Sequence, residues 1–286
     1  MKRIWLFILL LLLSTDMYSQ YNAVCFYVVA QQDEWQLFMG LNVFNDIAQN
    51  NAKENKKVVI IYTTAGHENN NGQPMNAQYY TARQAGADHC VEFCADQQGS
   101  HGVWDSTVDT INGHALLRRQ YKNVTSYCLR LPGAPDAAQE CDIKHLHDGT
   151  VSGITDIERS TNYTSWKDLV NTLRSIINVE DSAIPQVILN TADTDVILNK
   201  NCRIDNVYTS RLALDAFAQT GHMELNLFRE FCITGLPANL EDKDISTKAA
   251  LLSLMDYGLT ENGQASEWTA DNINFLSRHY FRTVKK

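Results

Sequence analysis

The chain has no run of basic residues: 24 Lys and Arg stand against 33 Asp and Glu, for a formal net charge of -9. That balance excludes nucleic acid and anionic membrane surfaces as expected partners. Equally absent are a Gly-rich phosphate loop, a Gly-x-Ser-x-Gly nucleophile elbow and a Cys-x-x-Cys redox pair, so nothing points to nucleotide, serine-hydrolase or thiol-exchange chemistry. No repeat, low-complexity tract or linker divides the sequence. Long apolar runs are missing too. The one near-continuous stretch, Ile4 to Leu13, follows Met1-Lys2-Arg3 and gives way to polar residues at Ser14. It is too short for an ordinary transmembrane helix and has the form of a secretory signal peptide, expected to span 1–19 with cleavage before Gln20. No Cys follows closely enough for lipid attachment. The expectation is a secreted or periplasmic protein, one domain over 20–286, with no membrane anchor after cleavage.

Seven cysteines are an odd number for an exported chain. Cys25 falls in an apolar run and reads as a small hydrophobe. Cys90 and Cys94 are candidate disulfide partners, and one or two disulfides are expected without a readable connectivity.

Strand and helix patterns alternate in the first half, which predicts an α/β fold with a Rossmann-like, mainly parallel sheet flanked by helices. Residues 23–30 and Val58 to Tyr62 read as buried strands, and Leu37, Leu41 and Phe44 as a helix face. The polar stretch His67 to Gln73 reads as a loop at a carboxyl strand edge. A helix carrying Tyr79, Ala82 and Arg83 is expected next, then a strand from His89 to Phe93. Residues 95–164 read as largely irregular, with a short strand over Ser126 to Leu131. Trp166, Leu169, Val170, Leu173 and Ile177 predict an amphipathic helix, and Pro185 to Leu189 a further strand. The C-terminal third reads as helical, ending in a helix from about Ser266 whose last turn carries Arg282, Lys285 and Lys286.

Two motifs carry the chemistry. The run Val24 to Val29 ends in Ala30-Gln31-Gln32-Asp33-Glu34-Trp35, and Arg203-Ile204-Asp205-Asn206 precedes the apolar positions Leu214 and Phe217. With Tyr79-Tyr80-Thr81-Ala82-Arg83, Leu131-Pro132-Gly133 and Thr164-Ser165-Trp166 in the same order, the chain resembles the PIG-L/LmbE zinc N-deacetylases over most of residues 22–220. In that family the first motif reads Ala-His-x-Asp-Asp and the second His-x-Asp-His. The resemblance implies metal ligands at Gln31, Glu34 and Asn206, a water-handling base at Asp33 and a transition-state donor at Arg203. It also implies an LmbE-like fold and a substrate class of N-acetylated sugars.

The family reaction needs a zinc whose water is acidified to a pKa of about 7 and whose fourth position is open, with a carboxylate base and an oxyanion donor. Here only Asp33 is unchanged. Gln31 and Asn206 replace imidazoles with neutral amides, and Glu34 replaces Asp. The leading expectation is therefore a non-zinc member without cofactor that binds a small carbohydrate or N-acyl amino sugar. The alternative is an active amide hydrolase in which Gln31, Asp33, Glu34, Asp205 and Asn206 form an all-oxygen site for Ca²⁺, Mg²⁺ or Mn²⁺, with Asp33 as general base. Arg83, at a position that faces substrate in the family, is a candidate substrate-binding residue, with His67 and Trp35. Trp35 and Trp104 supply flat faces of the kind sugars stack against. Arg203 is expected to pair with Asp33 or Glu34, since adjacent carboxylates without a counter-charge repel. The remaining groups, His89-Cys90 with Cys94 and His101, and His145 with His147, lack the spacing of structural zinc sites.

Overall fold

The computed structural model describes residues 21–48, 55–66, 77–134, 142–182, 184–221 and 223–285. The expected signal peptide, Cys141 and the 67–73 loop with His67 lie outside the described residues.

The chain folds around β1 (Ala23–Val29), all seven residues of which are buried. A strand covered on both faces carries no polar side, which is why it reads as a continuous apolar run. Parallel to it on one side runs β2 (Lys56–Thr64), from Ala23 opposite Lys56 to Val29 opposite Tyr62. β5 (Val124–Leu131) follows outside β2, also parallel. On the other side lie β8 (Val187–Ala192) and then β9 (Met223–Phe228), both parallel. Antiparallel strands close the edges: β10 (Phe281–Lys285) on β9, and β4 (His114–Tyr121) then β3 (Asp105–Ile111) beyond β5. The eight-stranded order is β10-β9-β8-β1-β2-β5-β4-β3, and β6 (Ile154–Thr155) with β7 (Asn162–Tyr163) forms a separate pair. The expected α/β class with a mainly parallel sheet is present.

Helices cover both faces. On one side a π turn, Trp35–Met39, leads into α1 (Gly40–Ala48), which packs with α2 (Ala77–Ala95) and α6 (Asp242–Glu261) over Cys25, Tyr27 and Val29. On the other, α3 (Asp142–Asp148), α4 (Trp166–Glu180) and α5 (Ile204–Phe217) cover Val24, Phe26 and Val28. The short α7 (Ala270–Asn274) precedes β10. α4 starts where its Ser-x-x-Asp signal places it: the Ser165 hydroxyl accepts from the Asp168 N–H at 3.1 Å, satisfying one of the open donors of the first turn.

Three readings of the sequence are corrected. His89 to Phe93 is helix, the continuation of α2, because Tyr79, Ala82, Ala87, Cys90, Val91 and Cys94 are buried at helical intervals. This helix meets α6 backbone to backbone: a Cβ on Gly86 would stand 2.4 Å from the Met255 carbonyl oxygen, and one on Gly258 would stand 2.2 Å from the Gly86 nitrogen. Residues 105–131 are a three-stranded antiparallel meander, with tight turns through Asn112-Gly113 and Lys122-Asn123 and positive φ at Asn112, Gly113 and Lys122. Finally, the last described residues, Phe281–Lys285, are strand. β10 alternates around β-branched Thr283 and Val284, and Arg282 leaves the strand to grip Asp193 with Nε–Oδ2 2.7 Å and Nη2–Oδ1 3.0 Å.

All six described cysteines are free thiols. Cys90 and Cys94 lie buried one turn apart on α2, so the expected pairing between them is not formed. Cys25 is the buried small hydrophobe its run implies.

Candidate functional site

The order of the parallel strands reverses at β1: the chain builds outward through β2 and β5 on one side and through β8 and β9 on the other. At such a point the connections leave in opposite directions and open a crevice at the carboxyl edge. The segments after β1, β2, β5, β8 and β9 all end there, and with them the two motifs. A cavity of about 250 Å³, lined by Ile47, Ala95, Lys122 and Asn123 among others, sits at the opposite, amino-terminal edge, away from both motifs.

Glu34 turns back on its own strand. Its Oε2 accepts the N–H groups of Ala30 at 2.8 Å and Gln31 at 3.0 Å, closing the helix start as a capping carboxylate does. Its Oε1 is buried without a hydrogen-bond partner. Burial, and the negative charges of Glu230 and Asp33, push the Glu34 carboxyl well above its ordinary range. Glu230, just past β9, is 1% exposed. Its Oε2 accepts from Asn206 Nδ2 and from the Cys202 thiol, each at 2.9 Å, and its backbone N–H donates to Asn199 Oδ1. Burial pushes Glu230 up to about 7, and burial beside Glu230 raises the Cys202 thiol.

Asp33 is paired with Arg83, whose Nη2 bonds its Oδ1. Arg83 is 4% exposed and is shared: its Nη1 lies 3.7 Å from Glu267 Oε1, which also accepts the Tyr79 hydroxyl at 2.9 Å. Burial raises the Glu267 carboxyl against the pull of Arg83, and Asp33 adds to the rise. Gly66, at φ +57°, fits here because its missing side chain leaves room for Gln32 and Arg83; a Cβ would stand 3.2 Å from Gln32 Oε1.

Arg203 occupies the N-cap position of α5 without a side-chain capping bond and donates instead to Gln31 Oε1 at 3.4 Å, with its guanidinium 4.4 Å from the centre of the Phe231 ring. Of the two carboxylates expected to draw Arg203, Asp33 is paired with Arg83, which α2 delivers to the carboxyl edge already buried, while the charge of Arg203 eases the rise of the Glu34 carboxyl. In the first turn of α5, Asp205 accepts the Ala134 N–H at 2.7 Å and Asn206 reaches Glu230.

The structure thus brings Gln31, Asp33, Glu34, Arg83, Arg203, Asp205 and Asn206 to one edge. Trp35 is elsewhere. Its ring is fully buried and its Nε1 donates to the Tyr62 hydroxyl at 2.9 Å, so it has no open face on which a sugar could stack, and its role is packing. Glu230, Glu267 and Phe231 are site residues that the sequence reading missed. The available signal for Glu230 was its place, two residues past the alternating run Met223 to Phe228.

Buried polar atoms without partners gather at this edge: both side-chain ends of Gln32, Glu34 Oε1, Asn206 Oδ1, Arg83 Nε and Glu267 Oε2. Native interiors leave few such groups, and each asks for a water, ion or ligand. The donor set does not fit zinc, which takes imidazole and thiolate with carboxylate support. Among the described residues no group of three or more His, Cys, Asp and Glu is placed to hold a metal ion. Of the outlying histidines, His89 is bonded to Glu261 at 2.7 Å, His101 to Asp96 at 2.7 Å and His147 to Asp148 at 2.8 Å.

No family model matches the chain, and no curated protein matches it in sequence.

Proposed function

We propose that this chain is an exported protein of PIG-L/LmbE-like fold whose metal site has been rebuilt as a metal-free polar cleft, and that the cleft binds a small carbohydrate or N-acyl amino sugar. The observation that carries this reading is the engagement of the three family ligand positions by protein groups. Gln31 Oε1 receives Arg203, Glu34 Oε2 receives two backbone N–H groups, and Asn206 Nδ2 donates to Glu230. Two guanidiniums, Arg83 and Arg203, bring fixed positive charge to the same edge. Carboxylates, amides and guanidiniums at a switch-point crevice are suited to hydroxyl and amide groups of a small polar ligand.

An amide hydrolase using an oxygen-ligated divalent cation with Asp33 as base is opposed by the Arg83–Asp33 ion pair. A general base must be free to take a proton from water; here Oδ1 is bonded to a buried guanidinium.

Isothermal titration of purified protein with a panel of sugars and N-acetylated amino sugars, in excess EDTA, tests the reading. Saturable binding that EDTA leaves unchanged, without acetate release, is expected. Acetate release on adding Mn²⁺, or binding abolished by EDTA, would overturn it in favour of the hydrolase, and no binding across the panel would overturn it outright.

A further inference from the structure

Three of the four described tryptophans commit their indole N–H to a protein acceptor: Trp35 to the Tyr62 hydroxyl at 2.9 Å, Trp104 to Glu92 at 2.6 Å and Trp166 to Asp215 at 2.8 Å. Their rings are engaged as well, Trp35 by full burial, Trp104 against Tyr121 and Arg119, and Trp166 against His147. Trp268 differs. It is 41% exposed, and among the described residues neither its ring nor its Nε1 has a partner. Its backbone, by contrast, is pinned. Asp256 Oδ1 accepts the Ser266 hydroxyl at 2.8 Å and the N–H groups of Glu267 at 2.6 Å and Trp268 at 3.2 Å. The Thr269 N–H then closes a turn onto the Glu267 carbonyl at 2.8 Å. An open aromatic side chain on a fixed backbone is preorganised for contact, since little conformational freedom is lost when a ligand covers it.

The residue before it in the chain belongs to the cleft. Glu267 Oε1 accepts the Tyr79 hydroxyl and lies 3.7 Å from Arg83 Nη1, while Oε2 is buried without a hydrogen-bond partner. Gln32, which flanks Gly66 together with Arg83, is fully buried with both ends of its amide unpartnered. An open aromatic residue therefore adjoins, in the chain, one whose buried polar atom lacks a partner. We propose that Trp268 and Glu267 form the ring subsite of the cleft, with the indole stacking on the C–H face of a pyranose and Glu267 Oε2 meeting one of its hydroxyls. A pyranose presents apolar C–H bonds above and below its ring and hydroxyls around its rim, and the electron-rich face of an indole attracts those C–H bonds. An apolar side chain from a protein partner would cover the indole yet leave Glu267 Oε2 buried and unsatisfied, which is unfavourable. The subsite rests on the carbohydrate reading above and makes it specific: the ring is held through its apolar face as well as its polar groups.

The test combines calorimetry and tryptophan emission of the intact protein in EDTA, with glucose, N-acetylglucosamine and glucitol, an acyclic polyol without a ring face, as probes. At least one of the two sugars is expected to bind and to change the emission saturably, and glucitol to bind at least about tenfold more weakly than that sugar. Trp268→Leu should abolish the emission change and lower sugar affinity by about tenfold or more, whereas Trp268→Phe should keep most of the affinity. Because Trp268 is exposed, the melting temperature of Trp268→Leu should match wild type, so a loss of binding is not a loss of fold. Sugar binding undiminished in Trp268→Leu, or glucitol binding as tightly as the sugars, would overturn the subsite and leave the carbohydrate reading standing. A wild-type dimer in sedimentation that Trp268→Leu dissociates, with sugar affinity unaltered, would assign this face to a second copy and overturn the subsite as well. No binding of either sugar would remove the subsite together with the reading it rests on.

Discussion

Arg83 and Asp33 are fifty residues apart in sequence and meet as a buried ion pair, joining the middle of the second helix to the end of the central strand. Arg83 also faces Glu267, so one guanidinium serves two carboxylates from distant segments. Replacing it with Met removes the paired guanidinium from both carboxylates, and breaking a buried ion pair in this way destabilises by about 3–5 kcal/mol. Chemical denaturation of Arg83→Met should show a loss on that scale. The double variant Arg83→Met with Asp33→Leu should recover part of it, and additive losses would show that the pair is not coupled.

The α2–α6 crossing depends on two glycines. Gly86→Ala and Gly258→Ala each place a methyl against backbone atoms, which cannot move aside as a flexible side chain can. Each substitution should destabilise by about 1–3 kcal/mol or more, read as a lowered melting temperature; Gly99→Ala, where a Cβ meets nothing within 4 Å but the backbone has φ +147°, should lose stability through strain instead.

Acid sensitivity should trace to His279. Burial, and the neighbouring Lys248 charge, lower it to about 3, and its Nε2 is bonded to Asn42 Oδ1 at 2.7 Å. The folded protein therefore holds a neutral imidazole, while the unfolded chain takes up a proton near pH 6.5. Stability from this site is complete above about pH 6.5 and is lost as pH falls through that value towards 3, because the unfolded state binds the extra proton. Unfolding free energies of His279→Gln should fall less steeply than wild type between pH 6.5 and 4.

Thiol labelling should separate the cysteines by burial. Cys90 and Cys94 are buried, and burial raises both thiols, so alkylation of native protein should spare them while Cys202 and Cys232 react slowly. After unfolding without reductant, Cys90 and Cys94 should both label. Peptide mapping that finds them joined by a disulfide would refute the free-thiol arrangement.

The parts of this fold that sequence patterns revealed are those whose burial is one-dimensional. β1 and β2 read as unbroken apolar runs because both faces are covered, and α4 as a stripe with a capping serine. The segment His89 to Phe93 misled because α2, pressed between the sheet and α6, buries polar Arg83 and Gln84 along with its apolar residues, which blurs the single apolar stripe that marks a surface helix. β10 misled because its basic residues suit a helix end equally well; what decides is the edge of β9 and Asp193, neither of them local. In the site, Gln31, Asp33, Glu34, Arg203 and Asn206 were legible as motif positions. Glu230 and Glu267 were not, since single carboxylates in connecting segments gain meaning only from what α5 and α2 bring beside them.

The central strand is also the one that waits longest for its second neighbour. β1 finds one neighbour at residues 56–62 but the other only at 187–190, so during synthesis its open side waits for about two thirds of the chain. The Arg203–Gln31 and Asn206–Glu230 contacts come later still. No early fragment can own the crevice: a chain stopped before residue 187 holds Asp33 and Arg83 but leaves the backbone of β1 unpaired along one edge, a template for wrong partners.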